Sequence, residues 1–340
     1  MARANARASA TPPSAYRPMT RSDATAGDGR PVFVTGAGGF IGAKVAAEFE
    51  VMGRVVIRIG HHIGGHGAAA RNVVGSIDTE ALVRAASIGG PPALIVHAAG
   101  GSSVAASVAD PNRDFERTVG SLTSVLDFID RQASNARLIF LSSAAVYGSA
   151  GTAPIPEEAP LHPISPYGHH KKVCEDLILE RVRAGALDAT ILRLFSVYGP
   201  GNRKQLFWDV ANRLCSHPRT LELAGTGEEA RDFLYIDDTV ALIRLLAERG
   251  EPSPLVVNGG SGVAVTVREA AETLSFALKV PTQIVFTGVE RAGDPSRMIC
   301  DPALARMLGF APRVSFPHGV QRFAEWAKGA ILADQRQASR

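Results

Sequence analysis

The stretch that decides the fold is Pro31-Val-Phe-Val-Thr35, followed at once by Gly36-Ala-Gly-Gly-Phe-Ile-Gly42. Apolar and β-branched residues in the first part predict a buried strand, and the amphipathic residues after the glycines predict a helix that ends at Gly53. A glycine-rich turn between a strand and a helix presents backbone N–H groups and the helix dipole to an anion. The Gly-x-x-Gly-x-x-Gly spacing in this context therefore predicts a site for a dinucleotide pyrophosphate.

The same alternation continues along the chain. Strand-like apolar runs occupy residues 54–59, 72–74, 93–97, 137–142 and 189–193, and helical patterns between them include residues 110–131 and 166–183. Such alternation predicts βαβ units and an α/β fold with a doubly wound parallel sheet of Rossmann type. We expect a disordered tail over 1–30, a dinucleotide-binding domain over 31–194, and a mainly substrate-binding lobe over 195–330. Part of this lobe, including a helix over 237–248, returns to the main body, and residues 331–340 form a second tail.

Composition narrows the function. The chain has 340 residues, of which 46% are hydrophobic, and a formal net charge of +3. The first thirty residues hold five arginines and two aspartates, so 5 − 2 = +3 and the remaining chain is neutral. A neutral body excludes nucleic acid and anionic membrane as expected partners. Three scattered cysteines exclude a disulfide framework and are typical of a reducing cytoplasm. The Arg- and Ser-rich start is also typical of organelle transit peptides.

Tyr167 and Lys171 carry the clearest chemical signal. They lie four residues apart at the start of a predicted helix, in Ser165-Pro-Tyr-Gly-His-His-Lys171, so both side chains project from one face. A lysine ammonium there is expected to favour the phenolate and lower the pKa of Tyr167 toward neutrality. Ser143, at the carboxyl end of the fifth strand, is placed to bond the substrate oxygen that Tyr167 protonates.

Seven stretches occur in an order that resembles the extended short-chain dehydrogenases/reductases acting on nucleotide sugars, the epimerase/dehydratase group. The resemblance covers residues 31 to about 328. The stretches begin with Val34-Thr-Gly-Ala-Gly-Gly-Phe-Ile-Gly42, Leu141-Ser-Ser-Ala-Ala-Val-Tyr-Gly148 and Ser165–Lys171, and continue with Leu192-Arg-Leu-Phe-Ser-Val-Tyr-Gly-Pro-Gly201, Gly225-Thr-Gly-Glu-Glu-Ala-Arg-Asp-Phe233 with Asp237-Asp238, Asn258-Gly-Gly-Ser-Gly262 and Arg291-Ala-Gly-Asp294.

The resemblance implies the roles of individual residues. It implies a catalytic triad of Ser143, Tyr167 and Lys171, and a homodimer formed through the helices over 110–131 and 166–183. The residues expected to bind the nicotinamide cofactor are Gly36, Gly39, Phe40, Ile41, Gly42, Arg58, Gly60, His61, Ser76, Ile77, Ala98, Ala99, Tyr167 and Lys171. The residues expected to bind a nucleotide-diphosphate sugar are Ser102, Ser143, Tyr147, Ser196, Arg231 and Arg291, the two arginines on its diphosphate.

The chain departs from the family pattern at the cofactor. Gly60 stands where an acid usually selects NAD, and Ser76 stands where an aspartate usually holds adenine. Without that acid a 2′-phosphate is not repelled, and Arg58, His61 or Arg71 can pair with it. The sequence therefore favours NADP(H), with NAD(H) as the alternative. Arg117 and Ser196 each replace an asparagine that is usual in the family.

Three features stay open. His61, His62 and His66 lie in a glycine-rich loop without acids, so we expect solvated histidines and no metal site. Tyr147 either lines the sugar pocket or packs, and Trp208 either covers a ligand or packs, packing being the more frequent role at its helical spacing.

The two residues directly after Ser143 bear on the type of reaction. Dehydratases of this family carry an acid pair there, whereas this chain has Ala144-Ala145, so we expect no elimination. Two reactions remain. One is reduction of a 4-keto sugar nucleotide, which Gly60, Ser76 and the 97–102 segment favour. The other is 4-epimerisation with tightly bound NAD, for which the Ser-Ala-Ala-Val-Tyr-Gly string is typical. A dinucleotide-binding protein without turnover is the remote alternative.

Overall fold

The computed structural model describes residues 29–63, 71–149, 151, 153–216, 218–249, 255–289 and 295–338. Most of the predicted N-terminal tail, His66 and Arg291 lie outside the described residues. No helix in the described ranges is long and apolar enough to cross a bilayer.

A central sheet of seven strands forms the main body, and all its neighbouring strands run parallel. The strands of the chain are β1 (Val32–Thr35), β2 (Val56–Gly60), β3 (Asn72–Val74), β4 (Leu94–His97), β5 (Arg137–Ser143), β6 (Ala189–Leu194), β7 (Ser196–Tyr198), β8 (Thr220–Leu223), β9 (Ala230–Tyr235), β10 (Val256–Gly259), β11 (Ala264–Thr266), β12 (Gln283–Phe286) and β13 (Arg297–Met298). The order β10-β6-β5-β4-β1-β2-β3 confirms the predicted doubly wound α/β fold.

Helices cover both faces of this sheet. They are α1 (Phe40–Val51), α2 (Thr79–Gly89), α3 (Val104–Ala109), α4 (Pro111–Phe115), α5 (Ser121–Gln132), α6 (Pro166–Arg183), α7 (Gln205–Leu214), α8 (Ile236–Ala247), α9 (Val267–Leu278), α10 (Ala303–Met307) and α11 (Phe316–Ala338). Successive residues of β1 point to opposite faces of the sheet: Val32 and Val34 pack in one apolar cluster, and Phe33 packs in the other. This two-sided burial explains why the strands read as continuous apolar runs.

Helix α6 confirms the predicted segment at both ends. Ser165 caps it by accepting a hydrogen bond from Gly168 N (3.2 Å), and Pro166 occupies its first turn, where a missing N–H costs nothing. Arg181 and Arg183 in the last turn complement the helix dipole.

The single helix predicted over 110–131 is wrong. The segment divides into α4, a π-helical turn over Glu116–Gly120, and α5. Within the turn, Thr118 accepts a hydrogen bond from Gly101 N (2.8 Å), and just after it Ser121 Oγ lies 3.3 Å from His97 Nε2. The extra residue per turn thus directs both hydroxyls at the end of β4, a placement typical of π-bulges at functional sites.

The second half of the chain builds a smaller lobe against the main body. Strands β7, β9, β11 and β13 form a separate sheet, backed by an aromatic group of Tyr198, Phe207, Phe233 and Phe316. Strand β10 joins the main sheet beside β6, and α8 is linked to α1 by an Arg244–Glu48 ion pair of 2.9 Å.

The C-terminal tail predicted over 331–340 requires correction. Helix α11 continues to Ala338, and Ile331 is buried in the core. An ion pair between Arg203 and Asp334 (2.6 Å) ties its last turns to the start of α7, so the described part of this segment is helical, although residues 332–337 are exposed.

Candidate active site

The glycine turn after β1 is built for close backbone approach. Gly36 has φ +66°, and a Cβ on it would lie 2.7–2.8 Å from the backbone of Ala98 and Ala99. A Cβ on Gly42 would collide with the carbonyl oxygen of Gly36. Gly39 caps α1 without a side chain, so the N–H groups of the first turn, including Phe40 and Ile41, face outward from the helix end. This cradle fits the pyrophosphate of a dinucleotide.

A buried histidine fixes the neighbouring strand ends. His97 Nδ1 lies 2.8 Å from Thr35 Oγ1, and its ring stacks on Phe140 at 5.9 Å. Burial, assisted by the charge of Lys171, lowers the pKa of His97 to about 3, so the ring is neutral at neutral pH. The hydrogen bond between Thr35 and the neutral His97 ring therefore connects the ends of β1 and β4 next to the glycine turn.

Gly36→Ala is expected to prevent dinucleotide binding, because the added methyl must displace Ala98 and Ala99 as well as adopt a positive φ. Gly53→Ala is the matched control, since Gly53 has φ +78° with nothing within 4 Å of its Cβ. Isothermal titration with NAD measures the difference. Equal affinities in the two variants would show that the contact with Ala98 and Ala99 is unimportant.

The prediction that Arg58 pairs with a 2′-phosphate is wrong. The Arg58 guanidinium is buried and forms a bidentate ion pair with Glu50, at 2.9 and 2.8 Å. Glu50 lies in the last turn of α1, at the opposite end from the glycine cradle. The charge of Arg71 also lowers the pKa of Glu50, after the larger contribution of Arg58.

The other predicted adenosine contacts lie at or near the ends of β2 and β3. Gly60 ends β2, where an added Cβ would make only ordinary contacts of 3.5 Å with Ala37 N and Gly38 N. His61 and Ser76 are exposed, and Ile77 is half-buried against the core. In the described part of the chain no three potential metal ligands come together.

The three predicted catalytic side chains come together at the carboxyl end of β5 and the start of α6. Ser143 and Tyr167 share a side-chain hydrogen bond, and Lys171 Nζ lies 5.9 Å from the centroid of the Tyr167 ring. Lys171 is buried and donates a hydrogen bond to the carbonyl oxygen of Leu141 (2.8 Å).

The expectation that Lys171 lowers the pKa of Tyr167 is wrong for this structure. Burial raises the pKa of Tyr167 to about 12, and the hydrogen bond from Ser143 only partly opposes it. Burial also lowers the pKa of Lys171. The ammonium is bound to Leu141 and lies on the ring side of Tyr167, so the phenol is neutral at neutral pH.

Sequence reasoning missed the residue that anchors Tyr167. Ser107, buried on α3, accepts a hydrogen bond from Tyr167 N (3.0 Å) and donates one to the carbonyl oxygen of Val104 (2.7 Å). Together with the cap by Ser165, this bond fixes the first turn of α6. No local pattern marks Ser107, because its partner is sixty residues away.

A buried polar network supports the strand end below Ser143. Glu175 accepts a hydrogen bond from Ser142 Oγ (2.6 Å) and forms an ion pair with Arg193 (2.7 Å). Tyr147 donates to Asn258 Oδ1 (2.7 Å) and accepts from Arg193 (2.9 Å). The prediction that Tyr147 binds substrate is therefore wrong, because the residue is 1% exposed and its hydroxyl is bonded to Asn258 and Arg193.

The remaining substrate candidates lie on the side of the second lobe. Ser102 is exposed and accepts a hydrogen bond from Lys204 Nζ (3.1 Å), which links the loop after β4 to the start of α7. Ser196 begins β7, half-buried, and Arg231 lies half-buried on β9, bonded to the carbonyl oxygen of Ala230 (2.9 Å). Trp208 packs on Trp326 at 5.4 Å, with Arg203 over its ring.

The fold and the arrangement of Ser143, Tyr167 and Lys171 beside a glycine cradle are those of the short-chain dehydrogenase/reductase class. The model of the NAD dependent epimerase/dehydratase family matches residues 32–260, and the chain belongs to this family.

Individual relatives agree with this assignment. The UDP-glucose 4-epimerase of Streptomyces lividans is 29% identical over 307 residues, covering 82% of this chain and 90% of that protein. The crystal structure of UDP-glucose 4-epimerase from Thermotoga maritima with UDP-glucose is 29% identical, with a TM-score of 0.80 over 88% of this chain and 99% of that chain. An NAD-dependent NDP-hexosamine 5,6-dehydratase of tunicamycin biosynthesis is 27% identical, with a TM-score of 0.78 over 88% of this chain and 97% of that chain.

Proposed function

We propose that this protein interconverts the C4 epimers of a UDP-hexose and keeps one NAD bound throughout the cycle. Similarity to UDP-glucose 4-epimerases over most of both chains supports the substrate class. A nicotinamide cofactor held by the glycine turn of Gly36, Gly39 and Gly42 would supply hydride acceptance and return at C4. The chain's own residues transfer the proton. Tyr167 takes it from the C4 hydroxyl as the phenolate and returns it to the C4 oxygen as the phenol, while Ser143 holds the same oxygen.

The observation that carries this proposal is the apolar pair Ala144-Ala145 directly after Ser143. Fold similarity alone does not separate an epimerase from a dehydratase, because both kinds of structure match this chain almost equally well. Elimination needs an acid and a base beside the sugar, and two methyl groups supply neither. The buried carboxylate of Glu175 is already bound to Ser142 and Arg193. The chemistry therefore stops at hydride and proton exchange on C4.

The position of Arg58 favours NAD over NADP. The sequence favoured NADP(H) because Arg58, His61 or Arg71 was expected to meet a 2′-phosphate. Arg58 is instead paired with Glu50 at the far end of α1, and the charge of Arg71 also acts on that carboxylate, so of the three candidates the exposed His61 is left. A 4-ketoreductase that consumes NADPH is the second candidate, and the absence of an acid at Gly60 is the observation that favours it.

Gly60→Asp is expected to increase the preference for NADH over NADPH by about tenfold or more, since the new carboxylate repels a 2′-phosphate and accepts from ribose hydroxyls. The Cβ fits without collision, so the variant should fold. Dissociation constants of both cofactors measure the effect, with Gly53→Asp as the control. A wild type that binds NADPH more tightly than NADH would contradict the proposed use of NAD.

Arg231→Ala is expected to weaken binding of the nucleotide sugar by about 1.5–3 kcal/mol, the value of a lost hydrogen bond to a charged group. The loss should shrink for the free sugar, because the arginine is proposed to bind the diphosphate. Arg291, its expected partner, lies outside the described residues. Equal losses for both ligands would show that Arg231 is structural.

The homodimer implied by the family resemblance stays a prediction. Phe115 on α4 and Val173 on α6 are apolar and exposed in the single chain, at 46% and 39%. Analytical ultracentrifugation tests the prediction, and a monomer at micromolar concentration would contradict it.

Denaturation of the purified protein tests the cofactor part of the proposal, because tightly held NAD is then released and can be counted. Thermal shift with a panel of nucleotide sugars tests the substrate class, since a ligand that binds only the folded state raises its apparent stability. An apoprotein that responds to NADPH and not to NAD would support the ketoreductase instead.

A further inference from the structure

A buried carboxylate–imidazole pair lies beside the catalytic side chains and has no part in the proposed hydride and proton exchange at C4. His170 Nδ1 and Asp114 Oδ2 are 2.6 Å apart, and the two side chains are 14% and 5% exposed. His170 stands between Tyr167 and Lys171 in the chain, and Asp114 lies on α4, which packs against α6. Because an ionised carboxylate only accepts, His170 donates this bond.

Asp114 also reaches the loop that lies against Lys171. A Cβ on Gly101 would collide with Asp114 Oδ1, and a Cβ on Gly100 would lie 3.5 Å from Lys171 Nζ. The carboxylate and the ammonium therefore meet the same short segment after β4 from two sides. Only glycine at position 101 leaves room for this approach.

The negative charge of Asp114 acts on both catalytic groups. The charge of Asp114 raises the pKa of Tyr167, although burial and the hydrogen bond with Ser143 have larger effects on that pKa. It also raises the pKa of Lys171, where the larger effect of burial acts in the opposite direction. An unshielded Asp114 thus disfavours the phenolate and favours the ammonium. Any donor bound to Asp114 weakens both effects.

Few other charges face the pair. From α6 the facing groups are Tyr167, Lys171, Cys174 and Glu175, and the last is paired with Arg193. Thr118 of the π-helical turn contributes a hydroxyl, and the Phe115 ring of α4 contacts the His170 ring edge-on at 5.4 Å. Helix α3 carries no titratable side chain. The nearby charged residues Arg113, Glu116 and Arg117 are exposed.

We propose that Asp114 and His170 are positioning residues that set the charge around Tyr167, with His170 shielding Asp114 and so fixing the pH range in which Tyr167 exchanges the substrate proton. Sequence reasoning missed the pair because its members are 56 residues apart. This proposal rests on the proposed function, because the turnover of the nucleotide sugar is the most direct measure of what the pair does.

The test is the acid limb of kcat/KM against pH for three variants. Asp114→Asn keeps the shape and removes the charge, so the limb should move to lower pH by on the order of half a unit. His170→Leu keeps an apolar side chain against Phe115 and removes the donor, so the limb should move to higher pH. The double variant should match Asp114→Asn, because His170 acts only through Asp114.

Two exposed neighbours on α6 serve as controls. His169→Asn and Asp176→Asn should leave the limb where it is in the wild type. Lower kcat with an unmoved limb in Asp114→Asn and His170→Leu would show a merely structural pair and overturn the proposal. So would shifts in the same direction, or a double variant that differs from Asp114→Asn.

Failure of the proposed function is read separately. If no nucleotide sugar is turned over, the ultraviolet absorbance of the phenolate still reports the ionisation of Tyr167. The signal of Tyr167 is obtained by subtracting the absorbance of the same variant that also carries Tyr167→Phe. An easier ionisation in Asp114→Asn than in the wild type supports the pair without any substrate, and an unchanged ionisation overturns it.

Discussion

Tyr167→Phe is expected to lower kcat by about 10²–10⁴-fold, the usual contribution of a positioned acid or base. The substitution removes the hydroxyl that is bonded to Ser143 and keeps the ring that packs beside Lys171. Affinity for the nucleotide sugar should therefore stay within a few-fold of the wild type. Steady-state turnover and isothermal titration measure the two quantities.

Tyr235→Phe is the matched control, because that hydroxyl is bonded to Arg322 in the second lobe. It should leave turnover near the wild-type value. Activity of Tyr167→Phe above about a tenth of the wild type would mean that another group moves the proton. A loss of affinity equal to the loss of kcat would mean that the hydroxyl mainly binds the sugar.

Glu175→Gln is expected to lower the free energy of unfolding by about 3–5 kcal/mol, the usual cost of removing one partner of a buried ion pair. The substitution leaves the buried guanidinium of Arg193 without its countercharge, and Arg193 in turn holds Tyr147. Because Ser142 precedes Ser143, the loss should reach the catalytic strand end as well. Urea denaturation measures the change.

Glu180→Gln is the matched control on the same helix. Glu180 is exposed, so its substitution should change stability by less than about 0.5 kcal/mol. A similarly small change in Glu175→Gln would show that the hydrogen bonds of the network, rather than its charges, stabilise this part of the fold.

Local patterns predicted the elements whose signals are complete within a short window. The glycine cradle follows from a strand, three glycines and a helix in direct succession. Helix α6 follows from the helical pattern over residues 166–183, and the structure confirms both of its ends. The spacing of Tyr167 and Lys171 placed both on one face of the helix. The same spacing extended by one turn reaches Glu175, and this signal would have pointed to the carboxylate that pairs with Arg193.

Contacts between side chains on different elements could not be predicted in the same way. In the sequence, Arg58 looks like a free cation near the cofactor. In the structure, β2 lies beside α1 and Arg58 is paired with Glu50 of that helix. The sequence of 110–131 carries no local signal for a π-helical turn, whereas the structure shows Thr118 in this turn bonded to Gly101 and Ser121 just after it in contact with the His97 ring. Tyr147 lies only four residues after the catalytic serine, yet its hydroxyl is bound by the distant residues Asn258 and Arg193.

The most direct test of 4-epimerisation is nuclear magnetic resonance of UDP-galactose with the purified protein in deuterium oxide, without added cofactor. We predict conversion to an equilibrium mixture with UDP-glucose, with no deuterium at C4 or C5, because the hydride returns from the bound cofactor and no proton leaves C5. The Tyr167→Phe variant should leave the substrate unchanged. A 4-keto-6-deoxy product labelled with deuterium would contradict 4-epimerisation in favour of elimination. Conversion of a 4-keto sugar nucleotide only with stoichiometric consumption of added NADPH, with no interconversion of the epimers, would contradict it in favour of reduction.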